Sequence, residues 1–325
     1  MKAILCKAYG PPSFLVLEDL ASPKPGPKEV LVRVKACGLN FPDTLIIQGL
    51  YQFKPELPFT PGSDLAGIVI AVGDEVKHLS PGDEVFGFVP FGALAQEVVV
   101  PSNACFRKPK NMDYAVAASF MMAYGTSFHA LKDRAKLKNG ETLLVLGASG
   151  GVGLAAVELG KLMGATVIAA ASTDEKLELC TSYGADLTIN YEKEDLKTTI
   201  KALTKNKGAN VIYDPVGGDY SEAAFRGIAW KGRYLVVGFA AGSIPKMPLN
   251  LPLLKGASVV GVFWGGFAMR HPKANMENTL TLMNWYKEGK LTPHIHKKYP
   301  LEDTSKALEF MMKRKAQGKL VVEIE

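Results

Sequence analysis

"ETLLVLGASGGVGLAAVELGKLMGA", Glu141 to Ala165, reads as a hydrophobic strand that breaks into a glycine-dense turn and continues as a helix. In register from the end of the strand the turn is Ala148-Ser149-Gly150-Gly151-Val152-Gly153, an A-x-G-x-x-G variant of the dinucleotide-binding fingerprint. Backbone N–H groups at a helix N-terminus can approach a pyrophosphate only where no bulky side chain intervenes, which Gly150 and Gly151 allow. Ser149, Gly150, Gly151 and Val152 are therefore the candidate contacts, and Gly153 lets the helix pack close to the strand. One such match is a weak signal; a strand before it, a helix after it and further units of the same kind strengthen it.

Those further units are present. After about Ala123, "TVIAAA" is followed by "STDEKLELCTSYG", "VIYDPVG" by "YSEAAFRGIAW", and then come "RYLVVGF" and "SVVGVFWG". Apolar strands separated by helical segments of about 10 to 15 residues predict parallel βαβ units, and so an α/β fold with a doubly wound parallel sheet over residues 123–266. Upstream, residues 1–122 are rich in Gly, Pro and short β-branched runs such as "EVLVRVKACG", "LAGIVIAVG" and "LAQEVVVP". Turn signals between short strands predict a β-rich first domain, a barrel or a sandwich-like unit. Downstream, the tail from about Phe267 carries two helical patterns and closes on "KLVVEI". That last strand is expected to return to the first domain's sheet, so that residues 267–325 complete it.

The 325-residue length suits two domains, and 47% apolar with 22% charged residues is the balance of an ordinary globular protein. The net charge of +6 is spread along the chain rather than gathered in a basic block, and the basic residues lack interleaved exposed aromatics, so nucleic acid is not an expected partner. Cys6, Cys37, Cys105 and Cys180 form no CxxC pair, which argues against a zinc ribbon or a disulfide scaffold and for reduced thiols in a cytoplasmic protein. The N-terminus lacks the apolar core of a signal peptide, and the longest apolar stretch, Gly256 to Met269, falls short of the ~20 residues that span a bilayer. No membrane attachment is expected.

The end of the second strand of the parallel sheet chooses between the nicotinamide cofactors. An NAD-selective site usually places Asp or Glu there, about 20 residues after the glycines, to hold the ribose 2′-OH. Here "VIAAASTDEK" offers Ala171 and Ser172, with Lys176 one helical turn later. A neutral strand end beside a cation favours a 2′-phosphate and hence NADPH, although Asp174 and Glu175 lie close by. The H-x-H pair His294 and His296 has no accompanying Cys or carboxylate cluster, so no metal site is predicted.

A β-rich first domain, "GASGGVG" and a closing strand together resemble the medium-chain dehydrogenase/reductase superfamily. Within it the chain resembles the zinc-independent quinone oxidoreductases, the group that includes zeta-crystallin, along its full length. The most specific segments are "GLNFPDTLIIQGLY" (Gly38 to Tyr51), "LPFTPGSDLAGIV" (Leu57 to Val69), "AYGTSFHAL" (Ala123 to Leu131) and "INYEKEDL" (Ile189 to Leu196). The resemblance implies a GroES-like first domain and a Rossmann second domain. Where zinc alcohol dehydrogenases have a metal-binding Cys, this chain has Asn40; where they have Gly-His-Glu, it has Gly62-Ser63-Asp64; their four-cysteine structural zinc lobe is missing.

By the same resemblance Asn40 and Tyr51 line the cleft beside the nicotinamide, in the catalytic position, and touch both cofactor and substrate. Thr126 lies near the nicotinamide end, and Ser172, Lys176, Tyr191 and Arg314 match positions associated with the 2′-phosphate. Lys313 and Lys315 flank Arg314 in "MKRKAQG". Val237 to Ala240, including Gly238 and Phe239, and Val262 to Trp264, including Phe263, match backbone that passes along the cofactor. The expected activity is NADPH-dependent, metal-free reduction of quinones. Reduction of enones, alkenals or enoyl thioesters is the rival within enzymes, and an NADPH-binding structural or RNA-associated protein the rival outside them. A homodimer is expected, formed through edge strands such as "SVVGVFWG", whose apolar run would be an aggregation hazard if left unpaired.

Overall fold

A computed structural model describes the whole chain, Met1–Glu325, which divides into two compact units. The first comprises Met1–Met122 together with Pro293–Glu325, the second Ala123–Thr292.

Seven strands open the first unit: β1 (Lys2–Cys6), β2 (Leu15–Asp19), β3 (Glu29–Leu39), β4 (Asp64–Val72), β5 (Glu84–Phe88), β6 (Glu97–Pro101) and β7 (Cys105–Arg107). The second unit contributes β8 (Thr142–Leu146), β9 (Thr166–Ala171), β10 (Leu187–Asn190), β11 (Ala209–Asp214), β12 (Ile228–Val236) and β13 (Ser258–Gly261), and the chain ends with β14 (Ile295–Pro300) and β15 (Lys319–Glu323). In the first unit the sheet runs β14-β15-β3-β4-β5-β7, with β6 paired to β3 and a separate β1-β2 ribbon. Val32, Val34, Leu65, Val85, Val100, Leu320 and Val322 meet in its core. The closing strand pairs antiparallel to β3, Leu320 opposite Leu39 and Val321 opposite Gly38. That register sets the last strand of the chain beside the end of β3, where Asn40 begins the next element.

The second unit is a six-stranded sheet in the order β10-β9-β8-β11-β12-β13, and every pairing in it is parallel. Leu143 to Leu146 and Val167 to Ala171 are buried along their whole length, as strands covered by helices on both faces must be. The α/β class and the Rossmann sheet read from the glycine turn are thus the observed ones, with a GroES-like unit before them.

One boundary differs from the expectation. The chain returns to the first unit at Pro293, not at Phe267. The helix Pro272–Lys287 stays in the second unit because its side chains are spent there. Trp285 meets the Phe128 ring edge-on at 5.2 Å, and Asn278 accepts a hydrogen bond from Lys132 Nζ at 2.6 Å and donates one to Asp133 at 2.9 Å. His129 is structural there too, buried against Phe267 at 4.0 Å with Nδ1 at 2.8 Å from Asp133. All four cysteines are buried free thiols, and no helix is long and apolar enough to cross a membrane.

Candidate functional site

In the second unit the candidate residues collect at the carboxyl ends of the parallel strands, where open α/β sheets bind their ligands. β8 stops at Leu146, Gly147 turns the chain at φ +56°, and Gly150 caps the helix Gly151–Leu162 in extended geometry, with no side chain filling the cap. The first-turn N–H groups, which helix geometry leaves without intrahelical acceptors, are therefore offered by Gly151 and Val152 to an anion. Ser149 is buried beside them. Ser127 Oγ donates to the Val152 carbonyl at 2.8 Å and meets the Tyr213 hydroxyl at 2.9 Å, which ties the segment starting at Thr126 to the same helix end. An uncapped helix start built of small residues fits a pyrophosphate.

β9 and β10 bring Ser172, Lys176 and Tyr191 together. Lys176 Nζ donates to Ser172 Oγ at 3.1 Å across the first turn of the helix Asp174–Ser182, and Tyr191 N donates to the Ala171 carbonyl at 3.2 Å. The Tyr191 ring packs on Tyr220 at 4.4 Å. Asp174 lies close by in sequence but its charge is answered elsewhere: Asn190 Nδ2 and Lys193 Nζ reach its carboxylate at 2.5 and 2.6 Å, and these bonds, Lys193 first, hold its pKa below the usual range. The Ser172 hydroxyl and the Lys176 ammonium beside it therefore fit a phosphate.

At the ends of β11, β12 and β13 one buried carboxylate organises the backbone. Asp214 accepts from Val216 N and Gly217 N at 2.8 Å each, from Ser221 Oγ at 2.7 Å and from the Tyr234 hydroxyl. Gly238 N donates to the Asp214 carbonyl at 3.3 Å, so Gly238 and Phe239 follow the course this loop sets. Val262 N bonds the Val236 carbonyl at 2.9 Å and leads into half-exposed Phe263 and buried Trp264. The Trp264 indole N–H is already given to Asn275 Oδ1 at 3.0 Å, so this segment has backbone rather than indole donors to offer a ligand.

In the first unit a compact polar cluster forms around Asn40. Asn40 N donates to Asp43 Oδ2 at 2.7 Å at the start of the helix Phe41–Ile46. The Asn40 side-chain amide donates to Asp64 Oδ2 at 3.0 Å and to the Gly38 carbonyl at 3.2 Å, and its Oδ1 accepts from Lys319 Nζ at 2.5 Å. Lys319 Nζ also donates to the Leu39 carbonyl at 2.8 Å and lies 3.6 Å from Asp64 Oδ2. Asn40, Asp43, Asp64 and Lys319 are all buried. Burial pushes Asp43 up to about 7 against the pull of the Asn40 N–H and the Lys319 charge, and raises Asp64 while lowering Lys319. Burial, then the Asp43 charge, also raises the Tyr51 hydroxyl, so half-buried Tyr51 stays protonated and able to donate at neutral pH.

Pattern reading missed Asp43, Lys319 and Asp214. The one signal for Lys319 is its place at the head of the closing strand, directly before the apolar run Leu320-Val321-Val322. Arg314 stands apart from Ser172, Lys176 and Tyr191 in that it belongs to the first unit, at φ +55° just after the helix Thr304–Met312.

The zinc of related dehydrogenases does not fit this donor set. No group of three or more His, Cys, Asp or Glu side chains could hold a metal ion, and a lysine ammonium already supplies the positive charge beside Asn40 and Asp64.

Known proteins resemble both units. Residues 26–110 match the family model of the alcohol dehydrogenase GroES-like domain, and residues 151–284 that of the zinc-binding dehydrogenases. Quinone oxidoreductase-like protein 2 homolog of Nematostella vectensis is 40% identical over 325 residues, a match covering 99% of this chain and 88% of the relative. Quinone oxidoreductase of Homo sapiens is 32% identical over 325 residues, covering 99% and 97%. The crystal structure of Escherichia coli quinone oxidoreductase complexed with NADPH is similar at a TM-score of 0.94 and 29% identity, covering 99% of this chain and 100% of that one.

Proposed function

This chain belongs to the quinone oxidoreductase-like family of the medium-chain dehydrogenase/reductase superfamily, and we propose from that premise that it is an NADPH-dependent reductase of quinones that works without a metal. One observation carries this reading: the polar centre around Asn40 and Asp64 is neutralised by the ammonium of Lys319, not completed by metal-binding side chains. A site with no Lewis acid suits acceptors that are already electron-poor, and quinones are such acceptors.

NADPH supplies the hydride when bound. The chain's own residues bind, orient and hydrogen-bond. The N-terminus of the helix Gly151–Leu162 would hold the pyrophosphate, and Ser172 with Lys176 and Tyr191 would hold the 2′-phosphate. Thr126 and the backbone of Gly238, Phe239, Phe263 and Trp264 follow the nicotinamide half. Both amide hydrogens of Asn40 are already engaged, so toward a ligand Asn40 acts as an acceptor through Oδ1. Tyr51, or water, donates a hydrogen bond to the oxygen of the acceptor as charge develops on it, and the one proton that the hydroquinone needs besides the hydride comes from solvent.

A cofactor-oxidation panel tests this. With NADPH, simple quinones are expected to give kcat/KM at least tenfold above enones and enoyl thioesters; the reverse order would replace the quinone reading by that of an enone or enoyl reductase. Binding of NADPH without turnover of any acceptor would favour a non-catalytic role.

The protein is also proposed to be a homodimer through β13, the edge of the six-stranded sheet. Val259 on that strand is exposed, and nearby in the same unit Trp230, Leu249 and Leu253 are exposed apolar side chains, Leu249 at 82%. An apolar edge of this kind is normally covered by another chain. Light scattering is expected to give twice the 35.0 kDa of one chain; the mass of a monomer at micromolar concentration would contradict it.

A further inference from the structure

We propose that Lys319 is a positioning residue for the reaction: its buried ammonium fixes which end of the Asn40 amide faces the reactants. This rests on the reading of Asn40 as a residue that touches them. The antiparallel register of β15 with β3, Leu320 opposite Leu39, sets Lys319 opposite Asn40 although 279 residues separate the two. The ammonium has three hydrogens and three oxygens around it, Asn40 Oδ1 at 2.5 Å, the Leu39 carbonyl at 2.8 Å and Asp64 Oδ2 at 3.6 Å. Asn40 Nδ2 in turn faces Asp64 Oδ2 and the Gly38 carbonyl.

A flipped amide would set its N–H groups against the ammonium and its oxygen against a carboxylate and a carbonyl, like against like at both ends. Charge therefore decides the orientation. The carboxylate is itself fixed: Asp64 Oδ1 accepts from Met122 N at 3.1 Å, so it cannot turn away. Removing the ammonium would leave Asp43 and Asp64 as neighbouring buried carboxylates without their cation, and the Asn40 amide without the contact that separates its two ends. Lys319 thus acts through Asn40 rather than on the acceptor.

A double-variant cycle of Asn40→Ala and Lys319→Met tests this, with NADPH and 1,4-naphthoquinone as probes and thermal melting as the check on folding. Each single variant is expected to lose at least tenfold in kcat with KM for NADPH within threefold of the parent, and the double variant to lose no more than the worse single one. If the two losses multiply, Lys319 does not act through Asn40 and the proposal falls while the reading of Asn40 stands. If Asn40→Ala is as active as the parent, both fall. An independent readout uses the cofactor-free protein: the Asn40 side-chain amide protons, identified by their loss in Asn40→Ala, are expected to exchange with solvent at least tenfold faster in Lys319→Met, and an unchanged rate would overturn the proposal. Should Lys319→Met not fold, Lys319→Gln, which keeps a donor but deletes the charge, enters the same cycle under the same criteria.

Discussion

Replacing Gly153 by valine is expected to unfold the glycine turn and with it cofactor binding. A Cβ at Gly153 would stand 2.2 Å from the Gly147 carbonyl oxygen and 2.9 Å from Ala148 Cα. Both are backbone atoms of the turn, so neither can give way as the tip of a side chain could. The helix Gly151–Leu162 would have to lift off the end of β8, uncovering Leu143 to Leu146, which are fully buried. Overpacking with backbone displacement costs on the order of 3 kcal/mol, which lowers the melting temperature of a unit of this size by roughly 10 °C. Gly150→Ala isolates the other demand of the motif. Its Cβ would meet only the Gly147 oxygen, at 3.4 Å, so the fold is expected to stand while the methyl group obstructs an anion at the helix end. Differential scanning calorimetry with and without NADPH reads both: Gly153→Val melts early, whereas Gly150→Ala melts near the parent without cofactor and gains less stability from it.

Lys176→Ala is expected to erase most of the preference for NADPH. Hydrogen bonds to charged groups contribute about 1.5 to 3 kcal/mol, a factor of roughly ten to a hundred in affinity. Lys176 is half-buried and steered by Ser172 Oγ, so a loss of about tenfold in NADPH affinity is the expected scale, with NADH affinity unchanged. Fluorescence titration with both cofactors measures it. Equal losses for the two would show that Lys176 supports the fold of the strand end rather than a 2′-phosphate.

Chain-local features were the legible ones. The glycine turn, the strand and helix alternation and the pairing of Ser172 with Lys176 depend on residues a few positions apart, where strand and helix periods fix which side chains meet. The approach of Tyr191 to the end of β9 follows from the neighbouring parallel strand. Asn40 was legible as a residue in a metal ligand's place, but its bonding was not, because Asp64 and Lys319 reach it through the pairing of β3 with β4 and β15. No hydrophobic pattern specifies that register across most of the chain. The misplaced boundary at Phe267 has a similar origin: the contacts of Trp285 and Asn278 with the segment after Thr126 decide the unit to which the helix Pro272–Lys287 belongs, and they appear only in three dimensions. Asp174 shows the converse, a charge that sequence proximity sets against a phosphate and that Asn190 and Lys193 take up.

The most direct test of metal-free, NADPH-driven quinone reduction is kcat/KM for NADPH and a naphthoquinone measured on protein dialysed exhaustively against a chelator, with and without added zinc. An unchanged value, within twofold and indifferent to zinc, is the predicted result; a loss of tenfold or more that zinc restores would contradict it.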